Sequence, residues 1–112
     1  MTTEFYTRER CFITELLNDP EDPEVSLARC RVEPGVTTEL HKLTVSERYI
    51  IIEGQGLMRL GEDQAFPVKA GDTVYISANE PQQVTNTGQS DLVFLCLCSP
   101  RFTAECYLPL ES

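Results

Sequence analysis

The segment Gly35-Val36-Thr37-Thr38-Glu39-Leu40-His41-Lys42-Leu43-Thr44-Val45-Ser46-Glu47-Arg48-Tyr49-Ile50-Ile51-Ile52-Glu53-Gly54 decides the fold. Residues 37–43 read as one strand. Residues 48–52, β-branched and aromatic, read as another that turns at Glu53-Gly54-Gln55-Gly56. Side chains alternate across a strand, so Thr37, Glu39, His41 and Leu43 share one face and Thr38, Leu40 and Lys42 the other. His41 is the single histidine of the 112-residue chain. Glu47 follows a short turn that lets it fold back beside His41, and Tyr49 and Ile51 alternate with it toward the same side.

The pattern continues in both directions. Upstream, residues 11–17 and 24–32 read as strands around Asn18-Asp19-Pro20-Glu21-Asp22-Pro23, a loop because its prolines and acids do not fit a strand interior. Downstream, strands fall at 57–60, 65–68, 73–76 and 82–86, separated by Gly-, Asn- and Asp-bearing turns. Residues 92–98, Leu-Val-Phe-Leu-Cys-Leu-Cys, form the longest apolar run and suggest a strand buried on both faces. The mixed tail, 99–112, is suited to covering a sheet edge. No amphipathic helix, internal repeat or low-complexity tract interrupts this, so the chain reads as a single all-β domain over 1–112, a sandwich or small barrel.

Composition narrows the function. Hydrophobic residues make up 41% and charged residues 24%, ordinary for a globular chain of this length and too apolar for disorder. Nine basic against 18 acidic residues give a net charge of −9. That argues against nucleic-acid and anionic-membrane partners, whose phosphates are met by Lys and Arg. No run approaches the length of a membrane-spanning helix, and residues 1–10 are too polar for a signal peptide. Five cysteines, Cys11, Cys30, Cys96, Cys98 and Cys106, without a secretory segment favour reduced thiols in the cytoplasm. Cys96 and Cys98 share a strand face, and small core hydrophobes are the simpler reading of them than a soft-metal site.

At this point the chain resembles the cupins. Their first motif is Gly, five residues, His-x-His, three or four residues, Glu, six residues, Gly. Here Gly35, His41-Lys42-Leu43, Glu47 and Gly54 keep that spacing across 35–54. The second motif is Gly, five residues, Pro-x-Gly, two residues, His, three residues, Asn. Gly71, Ser77-Ala78-Asn79, Gln82 and Asn86 keep its spacing across 71–86, with Ser, Asn and Gln in place of Pro, Gly and His. Both motifs belong to small single-domain cupins, often labelled mannose-6-phosphate isomerase-like. The resemblance implies a double-stranded β-helix, or jelly-roll, of two antiparallel sheets around a pocket, commonly assembled as a homodimer.

It also implies a divalent metal on three His and one Glu. By position, His41 and Glu47 match the first His and the Glu, Gln82 stands at the third His, and Leu43 stands at the second, where leucine cannot ligate. The ligand set carried over is His41, Glu47 and Gln82, for Mn, Fe, Ni or Zn. Oxygen-rich donors suit harder ions, and three ligands leave positions open for substrate. Leu43, Tyr49, Ile51 and Arg101 are the further pocket candidates. The resemblance leaves two uses of the site open: a metal-assisted isomerase, lyase or dioxygenase on a sugar-like molecule, and a metal-free enzyme of the sugar-epimerase type in which His41 and Glu47 are the catalytic acid and base. A non-catalytic metabolite-binding module needs the same pocket.

Overall fold

Alternation in the sequence becomes alternation of burial in the structure, a computed structural model that describes residues 3–111. Eleven strands form among them: β1 (Phe5–Tyr6), β2 (Phe12–Leu17), β3 (Ser26–Val32), β4 (His41–Leu43), β5 (Ser46–Glu53), β6 (Gln55–Leu60), β7 (Phe66–Lys69), β8 (Thr73–Ile76), β9 (Gln82–Asn86), β10 (Leu92–Ser99) and β11 (Tyr107–Pro109). They make two antiparallel sheets, one of six strands in the order β1-β2-β3-β10-β5-β8 and one of five in the order β11-β4-β9-β6-β7. This is the expected jelly roll. The core between the sheets holds Val32, Ile51, Met58, Ile76, Val84, Leu92 and Phe94, all at most 2% exposed. Burial of this apolar surface is the main force holding the sheets face to face.

Register sets what faces the core. β5 and β10 pair with Glu47 opposite Cys98, Tyr49 opposite Cys96 and Ile51 opposite Phe94. One strand therefore projects Glu47, Tyr49 and Ile51 inward, and the next places Cys98, Cys96 and Phe94 beside them. Across the gap, β4 and β9 are joined at His41 opposite Gln82. Leu95 and Leu97, the outward members of β10, are only half-buried, so that strand is not sealed on both faces.

Two elements differ from the sequence reading and a third follows it. The strand expected over 37–43 keeps only its end as β4. Thr37 makes an isolated bridge to Thr85, and the chain between them runs outside the ladder, where Thr38 Oγ1 accepts the Val84 N–H at 3.0 Å. β1 forms from two residues that periodicity over so short a length does not mark. The tail does cover an edge, since a 3-10 turn at Ala104–Cys106 leads into β11, which pairs with β4.

Gly35, Gly54 and Gly71 all take positive φ. Gly54 (φ 83°) is also packed from above, because a Cβ there would sit 2.6 Å from the Asp91 carbonyl oxygen. The tight β5–β6 turn thus needs glycine for space as well as for dihedral freedom.

Candidate functional site

The inner faces of the two sheets part at one end to leave a cavity of about 240 Å³. The strand faces built above supply its walls: His41, Leu43, Glu47, Tyr49, Phe94, Cys96 and Cys98, with Cys30 from β3 and Tyr107 from β11. Glu9, Cys11 and Thr7 come over the mouth from the turn between β1 and β2. Among the described residues lining it there is no Lys or Arg.

His41 is 2% exposed. Its Nδ1 lies 2.7 Å from the Glu39 carbonyl oxygen, an acceptor only, so Nδ1 carries the proton and Nε2 presents its lone pair. The ring stacks on Tyr107 with centroids 4.7 Å apart. Burial lowers the His41 pKa and holds the imidazole neutral, although the Glu39 carbonyl pulls the other way.

Nε2 faces Oε1 of Glu9 at 3.6 Å, beyond a direct hydrogen bond. Burial, reinforced by the charges of Glu47 and Glu39, pushes Glu9 up to about 8. Both shifts favour uncharged forms, so at neutral pH the pair is a carboxylic acid beside an imidazole rather than an ion pair.

Glu9 is the functional residue that sequence reasoning missed. Its reach is made by contacts distant in sequence. The Glu39 N–H donates to the Glu9 carbonyl at 3.1 Å, and Arg10, at φ 68°, turns the chain and donates to the Thr37 carbonyl at 2.9 Å. Arg8 and Arg10 point away from the cavity onto Glu39 and Glu111. The run Thr7-Arg8-Glu9-Arg10-Cys11 itself carries no periodicity or motif that singles out the glutamate.

Glu47, 6% exposed, accepts the Gln82 amide N–H at 2.9 Å on Oε1 and faces the Cys98 thiol at 3.8 Å on Oε2. Burial raises its pKa to about 7, with Gln82, Cys96 and Cys98 opposing through hydrogen bonds. Gln82 is fully buried behind the wall, and its Oε1 accepts the Tyr49 hydroxyl at 2.7 Å. Tyr49, stacked on Phe94 at 4.3 Å, thus fixes the amide that fixes Glu47.

The structure brings His41, Glu47, Leu43 and Tyr49 to one cavity. Ile51 packs into the core cluster and is not part of the cavity lining. Arg101 lies outside it, with Nη1 donating to Asn18 Oδ1 at 2.7 Å behind the rim.

The residues at the expected metal position do not fit an ion. The Gln82 amide is consumed by Tyr49 and Glu47, the apolar Leu43 occupies the second imidazole's place, and His41 offers one nitrogen. No group of three or more His, Cys, Asp or Glu able to hold a metal occurs among the described residues.

Comparison with known proteins agrees with this frame. The cupin domain family model matches residues 28–98. An uncharacterized protein of Methanocaldococcus jannaschii is 39% identical over 104 residues, covering 90% of this chain and 82% of that one. The oxalate-binding protein of Thermotoga maritima is 38% identical over 72 residues, 62% of this chain and 58% of that one. Auxin-binding protein 1 of Arabidopsis thaliana is 32% identical over 74 residues, of which the chain spans 37% of the plant protein. Among solved structures, a predicted oxalate decarboxylase of Thermotoga maritima superposes with TM-score 0.76 at 25% identity over 88% of this chain and 91% of that one. Streptomyces PAC13 with uridine superposes with TM-score 0.81 over 98% of this chain and 84% of that one, a likeness of fold at 19% identity.

Proposed function

Because the chain belongs to the cupin family, we propose that its function resides in the barrel cavity, where it binds a small organic molecule carrying no negative charge and exchanges protons with it, without a metal. One observation carries this: His41, Glu9 and Glu47, from three separate elements, face one cavity together, and no Lys or Arg lines it. A carboxylate or phosphate ligand would meet three carboxyls, Glu9, Glu15 and Glu47, and no Lys or Arg. A neutral, hydroxylated molecule of the sugar type meets hydrogen-bond donors and acceptors below and the rings of Tyr49, Phe94 and Tyr107 around it. The relatives named for oxalate and auxin carry names of anionic ligands, so ligand choice separates this chain from them.

Burial supports the acid–base roles. A carboxyl held near neutrality is poised both to give and to take a proton at physiological pH. His41 Nε2 acts as base, Glu9 supplies a proton to the same side of the cavity, and Glu47 works on the opposite wall. Such a pair serves isomerisation, epimerisation or loss of water at a carbon beside a carbonyl.

Deuterium uptake from solvent tests this. With a chelator present, a panel of neutral sugars is expected to include one that gains deuterium at carbon, and Glu47→Gln and His41→Gln proteins lose that exchange while retaining the ligand's thermal stabilisation. Absence of both exchange and stabilisation across neutral, cationic and anionic panels refutes the reading.

For assembly we propose a homodimer through the outer face of the six-stranded sheet in a cytoplasmic setting. Ile50 and the 43%-exposed Ile52 support that face, with Leu95 opposite Ile50 in register. Light scattering that returns only the 12.6 kDa monomer removes it. No helix among the described residues is long and apolar enough to cross a membrane.

A further inference from the structure

Four thiols, Cys11, Cys30, Cys96 and Cys98, line the cavity, and the acid–base roles above use none of them. All five cysteines are free. Two stand apart by geometry. Cys30 on β3 is opposite Phe94, and Cys96 on β10 is opposite Ala28. They are diagonal neighbours on the inner sheet face, a relation in which side chains reach each other only when they lean together. Here they do, and their Sγ atoms are 3.1 Å apart. A disulfide sets its sulfurs at about 2.05 Å, so closure asks for about 1 Å of movement. Cys30 is 5% and Cys96 8% exposed, yet both line the cavity of about 240 Å³.

A base stands next to the pair. Glu47 stands opposite Cys98 and diagonal to Cys96 on the adjacent strand, and Cys98 Sγ lies 3.8 Å from its Oε2. Burial holds Cys96 well above the ordinary thiol range, with Cys30 and Glu47 adding to it, so the sulfur reacts only if a neighbour takes its proton.

We infer that Cys30 and Cys96 form a peroxide-reactive dithiol, which hydrogen peroxide diffusing into the cavity converts to a disulfide across β3 and β10. In the first step the Cys96 sulfur gives its proton to the Glu47 carboxylate and attacks one peroxide oxygen. The O–O bond breaks, the departing hydroxide takes the proton from Glu47 and leaves as water, and Cys96 becomes a sulfenic acid. In the second step the Cys30 sulfur attacks the Cys96 sulfur. The S–S bond forms, the S–O bond breaks, and the hydroxide leaves with the Cys30 proton as a second water. Two thiols lose two electrons, and one peroxide gains them. A thiol reductant reverses the change. The oxidised form ties the two strands and removes two S–H donors from the cavity wall.

Mass spectrometry decides the matter on the full-length protein, purified reduced and treated with a modest excess of hydrogen peroxide. After denaturation and alkylation, the count of modified cysteines is expected to fall from five to three, with peptide mapping joining Cys30 to Cys96 and a dithiol restoring all five. Five alkylated cysteines after exposure, or a link between any other pair, overturns the inference. In Cys30→Ser the link is lost and a sulfenic acid at Cys96 is trapped by dimedone. Trapping at a different cysteine refutes the assigned order. Cys106→Ser, outside the cavity lining, keeps the link and shows that the readout follows the pair rather than general unfolding. Glu47→Gln is expected to slow disulfide formation at least tenfold at neutral pH, and an unchanged rate removes the base from the scheme.

Discussion

Replacing Glu9 by glutamine tests whether a carboxylic acid is truly buried at the cavity mouth. The substitution keeps the side chain's size and one donor and removes the ability to ionise. Folding raises the Glu9 pKa from 4.5 to about 8. At about 1.4 kcal/mol per pKa unit this corresponds to about 5 kcal/mol. The side chain is still 18% exposed, and solvent screening at the mouth reduces the expected effect to ~2 kcal/mol.

The sign follows from proton counting. Below 4.5 the group is protonated folded and unfolded, and it contributes nothing to the difference. Between 4.5 and 8 the unfolded chain ionises while the folded one holds its proton, so stability is lost as pH rises. Above 8 both are ionised and the loss is complete. Glu9→Gln is therefore no more stable than the wild type at about pH 4 and more stable by ~2 kcal/mol at about pH 9. With a urea dependence of about 2 kcal/mol per molar, the midpoints separate by ~1 M at the upper pH. Glu47, His41, Glu39 and Cys11 face or influence the same carboxyl and titrate in both proteins, so the difference between the two curves isolates Glu9. Two curves that stay parallel from acid to alkaline pH would show that folding leaves the Glu9 pKa unchanged, and a variant that loses stability relative to the wild type as pH rises would show Glu9 ionised beside a protonated His41; either result makes the uncharged pair wrong.

Three other perturbations probe the frame. The double variant Leu43→His with Gln82→His rebuilds the imidazole positions the chain lacks. It is expected to retain close to one divalent ion per chain through desalting and chelator wash, while the wild type retains far less. Equal metal content in both defeats the donor analysis. Tyr49→Phe leaves the buried Gln82 Oε1 without its donor, with an expected loss of about 1–2 kcal/mol in chemical denaturation and, because a loosened Gln82 no longer holds the Glu47 pKa down, a raised pH optimum for any Glu47-dependent rate. Gly54→Ala drives a Cβ to 2.6 Å from the Asp91 carbonyl at positive φ, and a loss of about 2 kcal/mol or more in thermal unfolding is expected, whereas a neutral result would mean that the β5–β6 turn relaxes freely.

Much of the fold is legible in the chain because sheet faces have period two and turns punctuate them. Residues 73–76 and 82–86 become β8 and β9 with the bounds that alternation and flanking turns suggest. The His41 and Glu47 positions are legible for the same reason, because strand faces and spacing lock them into register. What the sequence does not disclose is contact made at a distance. Gln82 reads as an oxygen donor on a wall, yet its partners, Tyr49 and Glu47, come from a different sheet and consume its amide. Arg101 reads as a barrel-mouth cation, yet Asn18, brought next to it by folding, occupies its guanidinium. Glu9 has no local signature because its reach depends on a turn anchored by Glu39 and Thr37.

The anchoring of that turn has a further consequence. The acid of the cavity rides on a short peripheral stretch, fixed at its neighbour Arg10 by Glu111 near the opposite end of the chain, while the imidazole, the amide and the Cys30, Cys96 and Cys98 thiols sit in the hydrogen-bonded ladder. The two halves of the proton-handling apparatus are therefore separable. Exchanging residues 8–10 re-arms the same barrel with a different acid, a different reach or none, while the core cysteine Cys11 and the strand pairs are kept. Selection or design can alter the chemistry at the edge while the expensive part, the packed ladder, stays untouched.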